Sequence, residues 1–148
     1  MRPFDRIKFM PLGQDDGGGI KLGDLGQNFL KTERLLFLNE NHCFRYLIYR
    51  GMIDKFVSKS SEVAHLPPGV AGVTDLTLAH MLNSDAELKA FFQKSVGFVS
   101  VNSSLADAKR AMGKIDKCRD VFVTQSGDRK EPILGWITDS AIRENLRV

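Results

Sequence analysis

The sequence predicts an α/β (α+β) fold in which two similar βαββα units pack together as one compact domain. Three observations support this prediction: the length of the chain, its composition, and an order of strands and helices that occurs twice. The chain has 148 residues, which is enough to bury a hydrophobic core without disulfides or a metal. Hydrophobic residues make up 43% and charged residues 26%, as in ordinary globular domains rather than disordered chains.

The first unit is predicted from alternating and helically spaced apolar residues. Residues 7–10 alternate apolar and polar side chains and predict a short strand, which the following proline ends or confines to a sheet edge. Apolar residues over 20–30 have the spacing of a helix. The apolar run at 34–38 and the aromatic-rich run at 44–49 predict two paired strands, and 52–57 again has helical spacing.

The second unit begins with two amphipathic helices. Apolar positions over 76–82 share one helical face, and Ser84-Asp85-Ala86-Glu87 has the capping-box pattern in which the serine starts the next helix. The elements predicted after these are a strand at 96–101, a helix at 105–115 preceded by Ser103-Ser104, strands at 120–124 and 133–138, and a helix from Asp139 or Ser140 through 146.

A linker separates the two units. Residues 58–72 are rich in serine, proline and glycine, and Pro67-Pro68 favours extended backbone over a helix. We therefore predict a first repeat at 1–58, a linker at 59–73 and a second repeat at 74–148. On both sides the order is strand, helix, strand, short connection, strand, helix, so each half can bury its open face against the other.

Charge and cysteine content narrow the functional class. The net charge is +3, which is mildly basic and gives weak support at most to nucleic-acid binding, so we expect no nucleic-acid partner. Two cysteines, Cys43 and Cys118, cannot build a disulfide framework or a zinc site by themselves and fit a reducing compartment. No apolar run approaches the ~18 residues of a membrane span, and the first residues lack a signal peptide's apolar segment. We therefore expect a cytoplasmic protein without a membrane partner.

Three stretches of the second unit resemble a cystathionine-β-synthase (CBS) domain. They are Ser103-Ser104-Leu105-Ala106-Asp107-Ala108-Lys109-Arg110-Ala111-Met112, then Asp120-Val121-Phe122-Val123-Thr124, then Leu134-Gly135-Trp136-Ile137-Thr138-Asp139-Ser140-Ala141-Ile142. They resemble a family pattern of a helix after an "xxTLxEAxxxM" stretch, a central strand, and "GxxT" before the last helix. The resemblance implies a tandem pair (a Bateman module) about a pseudo-twofold axis, with adenosine nucleotides bound in clefts between the repeats. It also implies a regulatory role toward a partner protein, which the sequence does not identify, and a homodimer.

The resemblance also assigns candidate nucleotide-binding residues in the second repeat. Gly135 permits close approach of the backbone, and Thr138 contacts phosphate or ribose. The family's aspartate position holds Ala141, so Asp139 becomes a displaced candidate for the ribose. The strands that frame the base contribute backbone groups of Val101, Asp120 and Val121. The alternative is that Thr138 and Asp139 only cap the last helix.

The first repeat departs further from the family pattern. Tyr49 stands at the hydroxyl position and Met52 at the aspartate position, whereas Arg50 is a candidate phosphate contact. A solvated surface arginine is the alternative interpretation of Arg50. The Gly17-Gly18-Gly19-Ile20-Lys21 stretch lacks the spacing of a phosphate-binding loop, so we interpret it as an ordinary loop.

The function predicted from these residues is a non-catalytic regulatory or sensing module. Its expected ligand is an adenosine nucleotide such as AMP, ADP or ATP, with no required cofactor. The alternative is a protein-interaction module that keeps the fold and has lost the nucleotide. No nucleophile–base constellation, paired carboxylates or metal-ligand spacing supports an enzyme or a metal site.

Overall fold

A computed structural model describes residues 2–3, 7–28, 33–60, 67 and 70–145. Its strands are β1 (Arg2–Pro3), β2 (Met10–Pro11), β3 (Arg34–Leu38), β4 (Phe44–Tyr49), β5 (Val96–Ser100), β6 (Asp120–Thr124) and β7 (Gly135–Thr138). Its α-helices are α1 (Leu22–Asn28), α2 (Arg50–Ser60), α3 (Leu78–Ser84), α4 (Ala86–Lys94), α5 (Leu105–Gly113) and α6 (Asp139–Asn145). The order β2-α1-β3-β4-α2 is repeated by β5-α5-β6-β7-α6, and α3 and α4 precede the second set.

The two sets form sheets with the same topology. In sheet 1, of order β2-β3-β4, the first strand is parallel to the second, and the second is antiparallel to the third. In sheet 2, strands β5, β6 and β7 repeat this arrangement, and β1 joins the free edge of β7. The predicted fold, two βαββα repeats related by a pseudo-twofold axis, is confirmed. We call the two sets repeat 1 and repeat 2.

The sheets pack face to face through an inter-sheet core. Strand side chains alternate between two faces, and one face of each sheet supplies this core. Its buried members are Ile7, Leu36, Leu38, Phe44, Leu47, Val96, Phe122, Ile133 and Trp136. The outer faces are covered by helices: α1 to α4 lie on sheet 1, and α5 and α6 lie on sheet 2. The molecule is therefore four layers deep, with two sheets between two layers of helices.

Alternation decides which residues can reach the space between the sheets. In β3, Leu36 and Leu38 enter the inter-sheet core, whereas Leu35 and Phe37 face the helices. Arg34 lies two residues before Leu36, so its side chain points to the same, inter-sheet face. In the same way, Asp120 of β6 lies two residues before Phe122 and points to the inter-sheet face of sheet 2.

Side-chain caps fix the starts of α4 and α5. The Ser104 hydroxyl accepts from the Asp107 amide, and the Asp107 carboxylate accepts from the Ser104 amide, which confirms the predicted cap of α5. The predicted capping by Ser84 is wrong. The Ser84 hydroxyl donates to the Met81 carbonyl at the end of α3, and Asp85 caps α4 by accepting from the two amides of Glu87 and Leu88. Aspartate and serine are similarly good N-caps, so the sequence did not separate them.

The predicted strand at 7–10 is also wrong. Only Met10–Pro11 pairs with β3, at the edge of sheet 1, because proline has no amide hydrogen for a second neighbour. Ile7 instead reaches the inter-sheet core from irregular backbone. The strand predicted at 133–138 is shorter at its start, and the linker predicted at 59–73 begins within the last turn of α2.

Candidate functional site

Polar residues of both repeats meet where β3 and β6 begin and β4 and β7 end. We call this the open end of the molecule. In sheet 1, Arg34 is paired in register with Tyr49, and in sheet 2 Asp120 is paired with Thr138. These pairs occupy equivalent positions in the repeated topology. Both face the other sheet, so Arg34 of repeat 1 stands opposite the carboxylates of repeat 2.

The centre of the open end is the carboxylate of Asp120, which has no exposed surface. The Trp136 indole donates to its Oδ1 over 2.9 Å, and Arg34 Nε lies 3.3 Å from Oδ2. The Tyr49 hydroxyl is 3.5 Å from the same oxygen. A buried carboxylate is tolerated only with such partners, because it has lost its hydration.

A second carboxylate, Asp139, lies at the rim. Arg34 Nη2 is 3.5 Å from its Oδ1, and the guanidinium groups of Arg119 and Arg143 lie 3.5 and 3.9 Å from its Oδ2. The Ser140 amide donates to Oδ1 over 3.0 Å. Arg34 therefore bridges a buried and a partly exposed carboxylate of the other repeat.

The two carboxylates have opposite pKa shifts. Burial raises the pKa of Asp120 above its ordinary value of 3.8, although Arg34 and the Trp136 indole act in the other direction. Burial also acts to raise the pKa of Asp139. There the Ser140 amide and the nearby arginines outweigh burial, so the pKa is lowered. Asp139 is therefore a persistent anion, whereas Asp120 is the carboxylate more easily protonated.

Thr138 ends β7 and caps the start of the last helix, α6. Its Oγ1 accepts from the Ala141 amide over 3.2 Å, which is the contact of a helix cap. The hydroxyl hydrogen is not needed for that contact, so the Thr138 hydroxyl is able to donate to a second partner. Capping and ligand contact are compatible uses of one side chain.

The structure brings together three of the seven predicted site residues: Asp120, Thr138 and Asp139. The others lie elsewhere. Val121 points to the helices on the outer face of sheet 2 and is buried in that core. Gly135 is paired with Val123, away from the open end, and Val101 follows the far end of β5 and is 43% exposed.

Arg50, the candidate from repeat 1, starts α2 on the helix side of sheet 1. Its amide donates to the Glu33 carbonyl over 2.7 Å. Its side chain lines a largely apolar groove of about 420 Å³ together with Leu22, Leu25, Leu35, Ile53 and Val57. Arg50 is thus not among the residues that face the inter-sheet space at the open end.

Sequence reasoning missed the side chains of Arg34, Trp136, Arg119 and Arg143 as members of the site. One signal for Arg34 is visible in the repeat alignment. The strand that opens with Arg34 in repeat 1 corresponds to the strand that opens with Asp120 in repeat 2. Opposite charges at equivalent positions of a face-to-face duplication predict an ion pair. Trp136 carries no comparable signal, because its indole contact depends on the register between β6 and β7.

At the opposite end, the two strand connections contact each other. The Ile133 amide donates to the His42 carbonyl over 2.9 Å, and the Cys43 thiol lies 3.2 Å from the Lys130 carbonyl. The Arg129 guanidinium stands over the rings of Phe44 and Phe98 at 5.8 and 5.3 Å. At this end, which carries the β3–β4 and β6–β7 connections, backbone and side-chain contacts therefore hold the two repeats together.

The described residues contain neither a metal-ligand cluster nor a membrane-spanning helix. Among them, no group of three or more His, Cys, Asp or Glu side chains is placed to hold a metal ion. Within the same part of the chain, none of the helices combines the length and apolar character that crossing a bilayer requires.

Solved structures with this architecture include CBS-domain proteins. A hemolysin-like protein containing a CBS domain from Oenococcus oeni PSU has a TM-score of 0.62 at 12% identity, covering 100% of this chain and 87% of its own. CBSX2 in complex with AMP has a TM-score of 0.56 at 15% identity, covering 97% and 90%. A CBS domain pair in complex with 5′-methylthioadenosine and S-adenosyl-L-methionine has a TM-score of 0.55 at 13% identity, covering 93% and 87%. No protein-family model and no curated protein matches this chain.

The duplicated topology and the polar open end define this protein as a two-repeat α/β module. Its two repeats face each other through their sheets. The particular fold is that of a tandem CBS-domain pair. The resemblance of residues 103–142 to a CBS domain is thereby confirmed at the level of the fold.

Proposed function

We propose that this protein is a non-catalytic regulatory module that binds an adenosine nucleotide at its open end. The observation that supports this most is the meeting of charged and hydroxyl groups from both repeats between two facing sheets. A ligand held there contacts repeat 1 and repeat 2 at once. Its presence therefore changes how the repeats are held together, which is the physical requirement of a sensor.

The roles follow from the chemistry of each group. The Asp139 carboxylate is suited to accept from ribose hydroxyls, and the Thr138 hydroxyl to donate to ribose or phosphate oxygen. Arg119 and Arg143 are exposed cations within 4 Å of Asp139 and are suited to a phosphate. The fold supports this assignment, since one protein with it is described with AMP and another with adenosyl compounds.

The choice of a phosphate-bearing ligand rests on local charge. Arg34, Arg119 and Arg143 surround two carboxylates, so this group of side chains carries one more positive than negative charge when both aspartates are ionised. A nucleotide phosphate complements this excess, and a sulfonium such as that of S-adenosyl-L-methionine does not. We therefore propose AMP, ADP or ATP rather than a cationic adenosyl compound.

The wider setting is proposed from the same resemblance. A sensing module of this kind acts through a protein that it regulates, and CBS-type modules commonly pair as homodimers. Two unpaired cysteines fit a cytoplasmic setting. The partner's identity does not follow from any residue of this chain.

A second candidate function is a ligand-free interaction module with the same fold. It is favoured by the partners that Asp120 and Asp139 already have within the chain, and by Ala141 and Met52 at the positions of the family's aspartates. In that case the open end only fastens the repeats together.

Calorimetric titration of the whole chain with AMP, ADP and ATP separates the two functions. We expect saturable heat in the wild type and an affinity about tenfold weaker in Asp139→Asn, the loss typical of one charge-assisted hydrogen bond. The matched control is Asp107→Asn, since Asp107 is an aspartate on the surface of α5 and pairs with Arg110. Absence of heat with every nucleotide at millimolar concentration, together with binding gained by Ala141→Asp, would establish the ligand-free alternative.

A further inference from the structure

Arg34 of repeat 1 forms ion pairs with both carboxylates at the open end. Its Nε lies 3.3 Å from Asp120 and its Nη2 lies 3.5 Å from Asp139. The Arg34 side chain is 19% exposed, that of Asp139 is 22% exposed, and that of Asp120 is fully buried. One guanidinium therefore spans from the interior to the rim of the site.

The two ends of this bridge differ in how readily they separate. Asp120 is fully buried, so leaving it without Arg34 is strongly unfavourable. Asp139 is partly exposed and has Arg119, Arg143 and the Ser140 amide beside it. Separating Arg34 from Asp139 leaves that carboxylate compensated and partly hydrated, which costs much less. The Nη2–Asp139 contact is the weak end of the bridge.

We propose that Arg34 exchanges partners when a nucleotide binds, moving its terminal nitrogen from Asp139 to the nucleotide phosphate while Nε stays on Asp120. The exchange frees one Asp139 oxygen to accept from a ribose hydroxyl. It replaces one guanidinium–carboxylate contact by one guanidinium–phosphate contact, so no charge is left without a partner. The inference rests on the proposed function, since it concerns the same site.

Two consequences follow. A nucleoside without a phosphate has to break the Arg34–Asp139 contact without offering Arg34 a replacement, so the site selects nucleotides over nucleosides. In addition, Arg34 begins β3 of repeat 1, whereas Asp139 begins α6 of repeat 2. Occupancy therefore removes one inter-repeat contact at the rim, and this couples the ligand to the relative arrangement of the repeats.

The test compares AMP with adenosine on the whole chain. The double variant Arg34→Gln/Asp120→Asn removes the guanidinium without leaving a buried carboxylate unpaired, and the amide oxygen introduced at position 120 still accepts from the Trp136 indole. We expect the wild type to bind AMP at least about tenfold more tightly than adenosine. In the double variant, AMP binding weakens about tenfold while adenosine binding strengthens, so the preference is lost. Arg110→Gln, a surface substitution on α5, leaves both affinities unchanged.

Circular dichroism first establishes that the double variant is folded. If it is not, Arg34→Lys gives the same test, because its compact ammonium retains a charge near Asp120 but lacks the fork of separate nitrogens with which Arg34 reaches a second partner. A wild-type preference that persists unchanged in the folded variant overturns the exchange and leaves the proposed function intact. If the variant binds AMP and adenosine more weakly by the same factor, Arg34 has a purely structural role, and the proposed exchange is overturned as well. Failure of the wild type to bind AMP, ADP or ATP contradicts the proposed function itself, and the exchange with it.

Discussion

Asp120 is the residue on which the account of the open end depends. Its carboxylate has no exposed surface, and it opens the central strand of repeat 2. The groups facing it come from both repeats: Arg34 and Tyr49 from one, and Trp136, Asp139 and Arg119 from the other.

The first prediction concerns the indole donor. Trp136→Phe keeps an aromatic ring in the inter-sheet core and removes the 2.9 Å hydrogen bond to Asp120. We expect the free energy of unfolding to fall by about 2 kcal/mol or more, because a buried acceptor loses a partner and the smaller ring leaves space. Urea unfolding followed by circular dichroism measures the loss. A change below about 0.5 kcal/mol would show that the indole contact is unimportant.

The second prediction is a pH dependence. The pKa of Asp120 is raised, so between pH 3.8 and that raised value the folded state binds more protons than the unfolded state. The contribution of Asp120 to stability therefore falls as the pH rises through this window. We expect the wild type to lose stability relative to Asp120→Asn as the pH is raised from 3.8 toward neutrality, in urea titrations at successive pH values.

Asp107→Asn is the matched control for this change of unfolding free energy with pH. The Ser104 amide and hydroxyl lower the pKa of Asp107, so its stabilising effect is present above pH 3.8 and is lost as the pH falls below it. The two variants should therefore show slopes of opposite sign in different pH windows. A stability difference between wild type and Asp120→Asn that stays constant above pH 3.8 would contradict the raised pKa.

At the scale of elements, the glycine-rich loop before α1 is held in place rather than free. Asp16 pairs with Arg45 of β4 and lies 3.3 Å from Lys89 of α4. Gly17 has a φ of +82°, and a Cβ there would stand 2.9 Å from Leu78 of α3. The loop thus joins sheet 1 to two helices, which agrees with the sequence argument against a phosphate-binding loop.

Gly17→Ala tests this role of the loop. The substitution is strained by the positive φ of Gly17 and places a methyl group against Leu78, so we expect a loss of about 1–3 kcal/mol in the free energy of unfolding. Gly19→Ala is the control in the same loop, because nothing lies within 4 Å of its added Cβ. Equilibrium urea titration compares the two, and equal effects would mean that the close approach to Leu78 is unimportant.

The elements themselves were largely predictable from local pattern. The strands Arg34–Leu38 and Asp120–Thr124 each contain a continuous apolar run, and their observed bounds are the predicted ones. The predictions of local structure were wrong where tertiary contacts determine the conformation of a segment. Ile7 is buried without being in a strand, and the choice between Ser84 and Asp85 as a cap depends on where α3 ends.

At the scale of the whole molecule, the two repeats share one core between their sheets. Leu36 and Leu47 of sheet 1 are fully buried in that core together with Phe122 of sheet 2. Burial of such side chains contributes roughly 1.5–3 kcal/mol each, so neither repeat is expected to remain folded after the other unfolds.

Leu47→Ala tests this dependence. Leu47 belongs to repeat 1, whereas the single tryptophan, Trp136, belongs to repeat 2. We expect Leu47→Ala to cost about 2–5 kcal/mol and to shift the urea midpoints of Trp136 fluorescence and circular dichroism together. Leu134→Ala is the control, because Leu134 is 40% exposed. A fluorescence midpoint that stays at the wild-type value would mean that the repeats unfold independently.

The site was less predictable than the fold, because the site forms between the two repeats. The duplication was visible because order and spacing repeat along the chain. The open end arises from packing between repeats, which brings Arg34 to Asp120 and Asp139 from a distant part of the sequence. Contacts within one repeat, such as that of Thr138 with the start of α6, can be predicted from sequence. Across the repeats, the opposite charges of Arg34 and Asp120 at equivalent positions are a signal for one contact, whereas the contacts of Arg34 with Asp139 and of Tyr49 with Asp120 depend on how the sheets face each other.

The most direct test of nucleotide binding at the open end uses the indole hydrogen of Trp136. The chain has one tryptophan, so a ¹H–¹⁵N correlation spectrum contains one indole signal, and that N–H donates to Asp120. We predict that AMP shifts this signal saturably, with the calorimetric Kd. An indole signal that stays in place while AMP binding is measured by calorimetry would put the nucleotide elsewhere and contradict the account.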